Sequence, residues 1–241
     1  MRITPYKQWS VHGLQVILYQ IEIGGSRFIT PLKALTRSEI MAKQYTTSNF
    51  YLPDYAFICS SSYKKEYKPF LDSEIARFRN LLSSNNKIFI YVPSVSRNEI
   101  ETIKDSVKYQ YEIKTSVLAV PIKYVSKEKA VNIVKDVTKE YSDQDVFPVI
   151  GLEDINTAKE VLQQAKEIQG IILKFDKKDI RSYNDIHINI ARFSSLIKEK
   201  HKLPIFIDLP RTFTVNVRAK QHVIESTSLL RYFFSGILSY S

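Results

Sequence analysis

The chain has 241 residues, 44% of them hydrophobic, which is enough to bury a large core in one α/β barrel or in two modest domains. Its 35 Lys and Arg residues outnumber 25 Asp and Glu residues, and the resulting net charge of +10 favours a polyanionic partner such as nucleic acid or a phosphorylated ligand. A basic surface without a specific partner is the alternative. The single cysteine, Cys59, excludes a disulfide framework and a thiolate zinc site.

Targeting and membrane segments are not evident. The opening residues, MRITPYKQWS, contain no apolar signal segment. No later run approaches the roughly 20 uninterrupted apolar residues that a membrane span requires. We therefore expect a soluble, cytoplasmic protein with no membrane partner.

The N-terminal part of the chain predicts a β-hairpin followed by a short helix. Residues 13–23 are rich in β-branched and aromatic side chains and stop at Gly24-Gly25, which indicates a strand and a turn. Residues 26–34 predict the second strand. Residues 36–39, Thr-Arg-Ser-Glu, have the spacing of a capping box, so a helix is expected from there to about residue 44.

From residue 55 onward, short apolar segments alternate with amphipathic ones. The apolar segments predict strands at 55–60, 87–92, 116–122, 147–152, 170–175 and 203–207, with a closing strand within 233–240. The amphipathic segments predict helices at 72–82, 96–107, 126–141, 154–168 and 185–200, with Ser96 and Glu99 as a second capping box.

Strands and helices alternating at about 30 residues per unit require crossover connections, and hence a parallel sheet. The units are even in length, and neither GxGxxG nor GxxxxGK[ST] occurs. The pattern therefore favours a TIM-like (β/α)8 barrel with an N-terminal β-hairpin, formed as a single domain over residues 1–241.

Acidic residues at two strand ends are the candidate catalytic groups, because barrel enzymes place their chemistry at the carboxyl ends of the strands. Asp208 follows strand 203–207 and is the first candidate; the alternative is a loop aspartate that caps the next turn or pairs with Arg211. Glu153 ends an earlier strand and is a candidate second carboxylate, whereas Asp154 is also expected as a helix N-cap.

Cations and hydroxyls at other strand ends are candidate ligands for a substrate or a phosphate: Lys33, Ser61, Ser62, Lys174 and Arg211. The position of Lys174 within IILKF predicts a side chain pointing into the barrel, where it would bind phosphate or form a Schiff base. A lysine that extends to solvent is the alternative.

A basic aromatic segment contains Tyr63, Lys64, Lys65 and Tyr67. It predicts a contact with a nucleic-acid backbone and a stacked base, with a solvated loop as the alternative. The 4 histidines show no metal-ligand spacing, so neither a metal nor a cofactor is expected.

Two parts of the chain resemble the tRNA-guanine transglycosylases, barrel enzymes that exchange guanine for a 7-deazaguanine base. QIEIGGSRFITPLKALTRSE, at residues 20–39, is similar to that family's opening hairpin and Thr-Pro pair, and DYAFICSSSY, at 54–63, to its next strand and loop. FIDLPRTFTVNVR, at 206–218, resembles the segment that carries the nucleophilic aspartate. The resemblance implies that Asp208 attacks the ribose C1′ and holds the tRNA covalently.

Family features are also missing from the chain. Where an Asp-Ser-Gly-Gly stretch would follow strand 87–92, the sequence reads YVPSVSR, and Gly170-Ile-Ile-Leu offers little in place of a glycine-rich loop. The three-cysteine and histidine zinc site is absent. The resemblance therefore implies a diverged paralogue without zinc, which acts on tRNA or DNA or is the non-catalytic partner of an active subunit; a homo-oligomer is also compatible.

Two other functions stay open. The first is a basic TIM-barrel binding or scaffold protein of phage or archaeal type, without chemistry, for which the acidic residues would be scattered. The second is a lyase or aldolase with Lys174 as the Schiff-base lysine.

Overall fold

The computed structural model describes residues 2–11, 14–23, 26–29, 57–82, 88–95, 99–175, 203–208 and 237–239. The predicted capping box at 36–39, the predicted helix at 185–200, and the candidate residues Lys33 and Arg211 lie outside these ranges.

An antiparallel sheet of three strands, in the order β1-β2-β3, forms the N-terminal part: β1 (Arg2–Val11), β2 (Leu14–Ile23) and β3 (Ser26–Ile29). The antiparallel pairing of β2 with β3, in which Ile23 is opposite Ser26, confirms that the two predicted strands form a hairpin. Strand β1 was not predicted. Its residues 5–10 are all exposed, so no buried face produces an alternating pattern in the sequence.

The rest of the described chain alternates strands and helices. The strands are β4 (Phe57–Ser62), β5 (Phe89–Ser94), β6 (Leu118–Pro121), β7 (Val146–Gly151), β8 (Ile171–Lys174), β9 (Ile205–Asp208) and β10 (Ile237–Ser239). The helices are α1 (Lys68–Leu82), α2 (Ile100–Glu112), α3 (Lys127–Glu140) and α4 (Ile155–Gln164), with 3-10 turns at Lys65–Tyr67 and Leu152–Asp154.

The seven strands from β4 to β10 follow the order of the chain. Strand β4 pairs with β5, and β6 to β10 form one sheet in which each strand pairs in parallel with its neighbour in sequence. Strand β5 contacts β6, so the two sheets adjoin. Within the described residues no ladder joins β10 back to β4, and closure into a barrel stays a prediction.

A buried glutamine explains why the ladder is interrupted between β5 and β6. The Gln110 side chain accepts a hydrogen bond from the Ala119 N–H at 2.7 Å and donates one to the Ala119 carbonyl at 2.8 Å. The amide thus takes the place of a neighbouring strand along β6. It satisfies two buried backbone groups that would otherwise lose their partners.

Hydrophobic residues cover both faces of the parallel strands. Alternate residues such as Leu118, Ile150 and Leu173 pack against α2, α3 and α4. We call the opposite face the inner face; its core includes Val92, Ala119, Val149, Ile172 and Phe206, together with Ile21 and Ile23 of β2. The rings of Phe147 and Phe206 stack there with centroids 5.0 Å apart. The hairpin sheet therefore packs on the inner face.

Helix starts agree only in part with the predictions. The helix predicted at 126–141 is confirmed as α3, which begins at Lys127 with Ser126 in the N-cap position. The capping box predicted at Ser96 is wrong, because α2 begins at Ile100 with Glu99 in the N-cap position. The Glu99 carboxylate accepts a hydrogen bond from the Thr102 hydroxyl at 2.8 Å instead of closing a box. Among the described residues, no helix is both long and apolar enough to cross a bilayer.

Candidate functional site

The carboxyl ends of four parallel strands bring polar positions to the inner face. Side chains alternate along a strand, and the residues two positions earlier belong to the inner-face core. The positions that consequently share the inner face at the strand ends are Ser94, Gly151, Lys174 and Asp208. The sheet register places Gly151 beside Lys174, and Lys174 beside Asp208.

A buried ion pair lies at the centre of this group. The Lys174 Nζ is 3.4 Å from the Asp208 Oδ2, and the side chains are only 15% and 5% exposed. The same nitrogen donates a hydrogen bond to the Ser94 Oγ at 2.7 Å. Side chains of three strands, β5, β8 and β9, thus meet at one ammonium group. Ion pairs removed from water contribute little net stability, so their placement at a strand end points to a binding role.

A second lysine extends the site across β7. The Lys123 Nζ lies 3.6 Å from the Glu153 Oε1 and 3.5 Å from the Lys174 carbonyl oxygen. Gly151 leaves room for this pair, because a Cβ there would lie 2.8 Å from both the Glu153 Oε2 and the Lys123 Cε. The two lysines and two carboxylates therefore form one connected group, which we call the strand-end cluster: Lys123, Glu153, Lys174 and Asp208.

The neighbouring carboxyl group, Asp154, is half-buried. It accepts hydrogen bonds from the backbone N–H groups of Tyr124 and Gly151. Burial raises its pKa above the usual value, the Glu153 carboxylate adds to the rise, and the two N–H groups oppose it. Asp154 occupies the N-cap position of α4, as predicted, but its side chain makes no capping hydrogen bond to that helix.

The structure brings together part of the predicted site. Asp208 and Lys174 meet, and in the described part of the chain Asp208 pairs with Lys174. The prediction that Lys174 extends to solvent is wrong, because its nitrogen is held by Asp208 and Ser94. Ser62 is beside Ser94 in the register and is exposed, and Ser61 is beside Pro93.

Ser94 and Lys123 were among the strand-end positions that the sequence pattern indicated, but neither was selected as a binding residue. Each stands near a strand end. Because side chains alternate between the two faces of a strand, this alternation alone would have assigned Ser94 to the same face as Lys174. Lys123 lies beyond the end of β6, within a turn, so no periodicity signals its direction.

In the basic aromatic segment, the structure contradicts the predicted base contact for one residue, Tyr63. Tyr63 is only 4% exposed, packs against the Tyr109 ring, and is therefore not available to stack a base. Its backbone N–H donates to the Ser94 carbonyl at 3.0 Å, which joins the segment to the strand-end cluster. Tyr67 and Phe70 are 51% and 61% exposed, and the Lys64 ammonium lies 5.5 Å from the Tyr67 ring centroid.

Among the described residues, no three His, Cys, Asp or Glu side chains are grouped so that they could hold a metal ion. No protein-family model matches the sequence, and a comparison with curated proteins also gives no match. The likeness to the tRNA-guanine transglycosylases thus rests on the quoted segments alone.

Proposed function

We propose that the chain is a barrel protein that binds nucleic acid at the carboxyl ends of its parallel strands, and that Asp208 acts on the sugar of a bound nucleotide. The observation that carries this proposal is the buried Lys174–Asp208 pair on the inner face. A group of complementary charges there is what a binding site requires. A scaffold protein without a site has no need of a buried ion pair at that position.

Strand order supports the barrel. In open α/β sheets the strand order reverses at a switch point, where ligands bind. Strands β4 to β10 instead follow chain order, helices pack on one face, and β2 packs on the other. In this architecture the residues that follow the strands' carboxyl ends form the active site.

The proposed chemistry uses Asp208 as the nucleophile. Its carboxylate, paired with the Lys174 ammonium, attacks the ribose C1′; the C–O bond forms as the glycosidic C–N bond breaks, and the electron pair leaves with the base. The departing base takes up a proton, for which Glu153 and Asp154 at the end of β7 supply carboxyl groups. An incoming base reverses these steps, so no oxidant or reductant is needed.

Surface charge and exposed rings support a nucleic acid over a small sugar phosphate. The chain carries a net charge of +10. Lys64, Lys65, Tyr67 and Phe70 are exposed just after the carboxyl end of β4, beside the Ser94 end of β5. Cations track a phosphate backbone and exposed aromatic rings stack on bases, so a polynucleotide would extend from the strand-end cluster over this segment.

The test is a search for a covalent adduct. Wild-type protein is incubated with tRNA and with DNA and then resolved under denaturing conditions. We expect an adduct that Asp208→Asn loses and that Asp136→Asn, at an exposed ion pair on α3, retains. Binding without an adduct would identify the non-catalytic partner of an active subunit. No binding to either nucleic acid at low salt would overturn the proposal.

The burial of Lys174 favours a second candidate, a Schiff-base lyase or aldolase, because shielding from water is one way in which proteins activate a Schiff-base lysine. Borohydride reduction in the presence of small sugar phosphate aldehydes distinguishes it. A mass increase on wild type that Lys174→Met abolishes would favour the lyase, and no mass increase would dismiss it.

A further inference from the structure

Among the described residues other than glycine, Lys114 and Tyr124 have positive φ angles, 55° and 67°. Residues other than glycine rarely adopt this left-handed backbone conformation, and it is strained for bulky residues. The two residues lie at opposite ends of β6: Lys114 precedes the strand and Tyr124 follows it. The first ends a helix, and the second lies in a turn beside the candidate site.

Lys114 is explained by the end of α2. Its N–H donates to the Tyr111 carbonyl at 3.0 Å, and the Thr115 N–H donates to the Gln110 carbonyl at 3.1 Å. These two bonds form a Schellman motif, which ends many helices and requires a left-handed residue at this position. The strain at Lys114 thus serves to terminate the helix.

Tyr124 occupies the third position of a tight turn. The Val125 N–H donates to the Ile122 carbonyl at 3.1 Å, so Lys123 and Tyr124 are the central turn residues. A positive φ at that position favours glycine or asparagine. A tyrosine is present instead, 49% exposed, at the carboxyl edge where the candidate site lies. Strain retained at a site edge is a sign of function.

Contacts on both sides connect the Tyr124 turn to the strand-end cluster. The Lys123 Nζ lies 5.1 Å from the Tyr124 ring centroid and 3.5 Å from the Lys174 carbonyl oxygen. The Tyr124 N–H donates to the half-buried Asp154 carboxylate. The Tyr124 ring therefore lies beside one member of the cluster, Lys123, and its backbone is bonded to the neighbouring Asp154.

We infer that Tyr124 is the platform on which a planar ring of the ligand stacks, so that the strand-end cluster takes a nucleotide base together with its sugar phosphate. This inference rests on the proposed function and narrows its substrate class. A ligand without a planar aromatic ring, such as a simple sugar phosphate, would make no stacking contact with this tyrosine. Tyrosine presents a large flat surface at a low entropic cost, and base–aromatic stacking is tolerant of sequence.

Glycine substitution separates binding from folding. Tyr124→Gly removes the ring and relieves the strain, so the protein should be at least as thermally stable as wild type. Its affinity for a fluorescent single-stranded oligonucleotide and for GMP should fall about 5- to 150-fold, the loss expected for one stacked base. Tyr124→Phe keeps the ring and should bind like wild type.

Lys114→Gly is the matched control, because it relieves the same kind of strain at the opposite end of β6. It should stabilise the fold and leave both affinities unchanged. Equal binding by Tyr124→Gly and wild type would overturn the inference, as would the absence of wild-type binding to both the oligonucleotide and GMP.

A third ligand, ribose 5-phosphate, separates the inference from the proposed function. If ribose 5-phosphate binds as tightly as GMP, the ring makes no contribution and the inference fails while the site stands. If GMP binding depends on Tyr124 but no polynucleotide binds, the proposed function fails and the inference stands.

Discussion

Polar side chains near the amino ends of the parallel strands bond to the backbone, whereas the charged side chains of the strand-end cluster pair with one another. The Gln169 side chain accepts the Val146 N–H at 2.7 Å, and the Ser116 hydroxyl accepts the Phe89 N–H at 2.9 Å. At the other edge, Lys174 contacts Asp208 and Lys123 contacts Glu153.

The difference separates stability from function. A side chain that completes a backbone hydrogen bond cannot exchange its partner without leaving a buried group unsatisfied. A charged side chain paired with another can give up that partner to a ligand phosphate or sugar. The amino edge is therefore the structural edge of the sheet, and the carboxyl edge is the one suited to binding.

The largest expected effect concerns the Lys174–Asp208 pair. Lys174→Met leaves the Asp208 charge buried without its ammonium and should lower the free energy of unfolding by about 3–5 kcal/mol. Lys174→Met/Asp208→Leu removes both charges and should recover most of that loss. Urea denaturation measures both values. Equal destabilisation by the single and double variants would show that the charges are not coupled.

Two glycines give a matched test of the two edges. At Gly170, just before β8, an added Cβ would lie 2.4 Å from the Phe147 ring, which packs on Phe206 in the core. Gly170→Ala should therefore cost about 1–3 kcal/mol of stability through overpacking and leave ligand affinity unchanged.

Gly151→Ala should have the opposite pair of effects, with little loss of stability and a loss of ligand affinity. The added Cβ would meet the ends of the flexible Lys123 and Glu153 side chains, which can move aside at a small cost in stability. Their displacement would disrupt the strand-end cluster and weaken nucleic-acid binding. Thermal melts and binding titrations measure the stability and the nucleic-acid affinity of both variants. If Gly170→Ala and Gly151→Ala change these two quantities in the same way, the distinction between the two edges does not hold.

The smallest expected effect is a pH dependence at Asp154. Burial raises the pKa of this carboxyl group in the folded state above its usual value near 3.8. The folded state thus binds the proton more tightly than the unfolded state does. The associated stabilisation is complete below the unfolded pKa and is lost as the pH rises through the folded pKa.

Asp154→Asn should abolish this contribution. The difference in unfolding free energy, wild type minus variant, should decrease as the pH rises from below 3.8 toward neutrality. Denaturant titrations at a series of pH values measure it. A difference that is constant with pH would show that Asp154 has its ordinary pKa in the folded protein.

Much of the described fold follows from local pattern. The buried faces of α3 and α4 repeat with helical spacing, and all of Ala130, Ile133, Val134, Ala158 and Val161 are buried as that spacing predicts. Strand β1 was missed because its exposed residues carry no such signal. The start of α2 was misplaced because Ser96 and Glu99 match a capping box that the chain does not use there.

For the site, the sequence predicts which residues stand at strand ends and which face of the sheet they share, but not which of them pair. Asp208 and Lys174 stand at strand ends, and alternation indicates which face Lys174 shares. That Asp208 pairs with Lys174 depends on the register of two strands more than 30 residues apart in the chain. The burial of Tyr63 depends on its packing against Tyr109 of α2, which no local pattern encodes.

The most direct test of the central claim is nucleic-acid affinity across a salt series for wild type, Lys174→Met/Asp208→Leu and Lys104→Met/Asp136→Leu. Both double variants leave the net charge unchanged, and the second removes an exposed ion pair between α2 and α3. We predict that wild type and the surface variant bind tRNA with the same salt-dependent affinity, and that the Lys174/Asp208 variant, although folded, binds far more weakly. Equal binding by all three proteins would contradict the assignment of the site to the carboxyl ends of the strands.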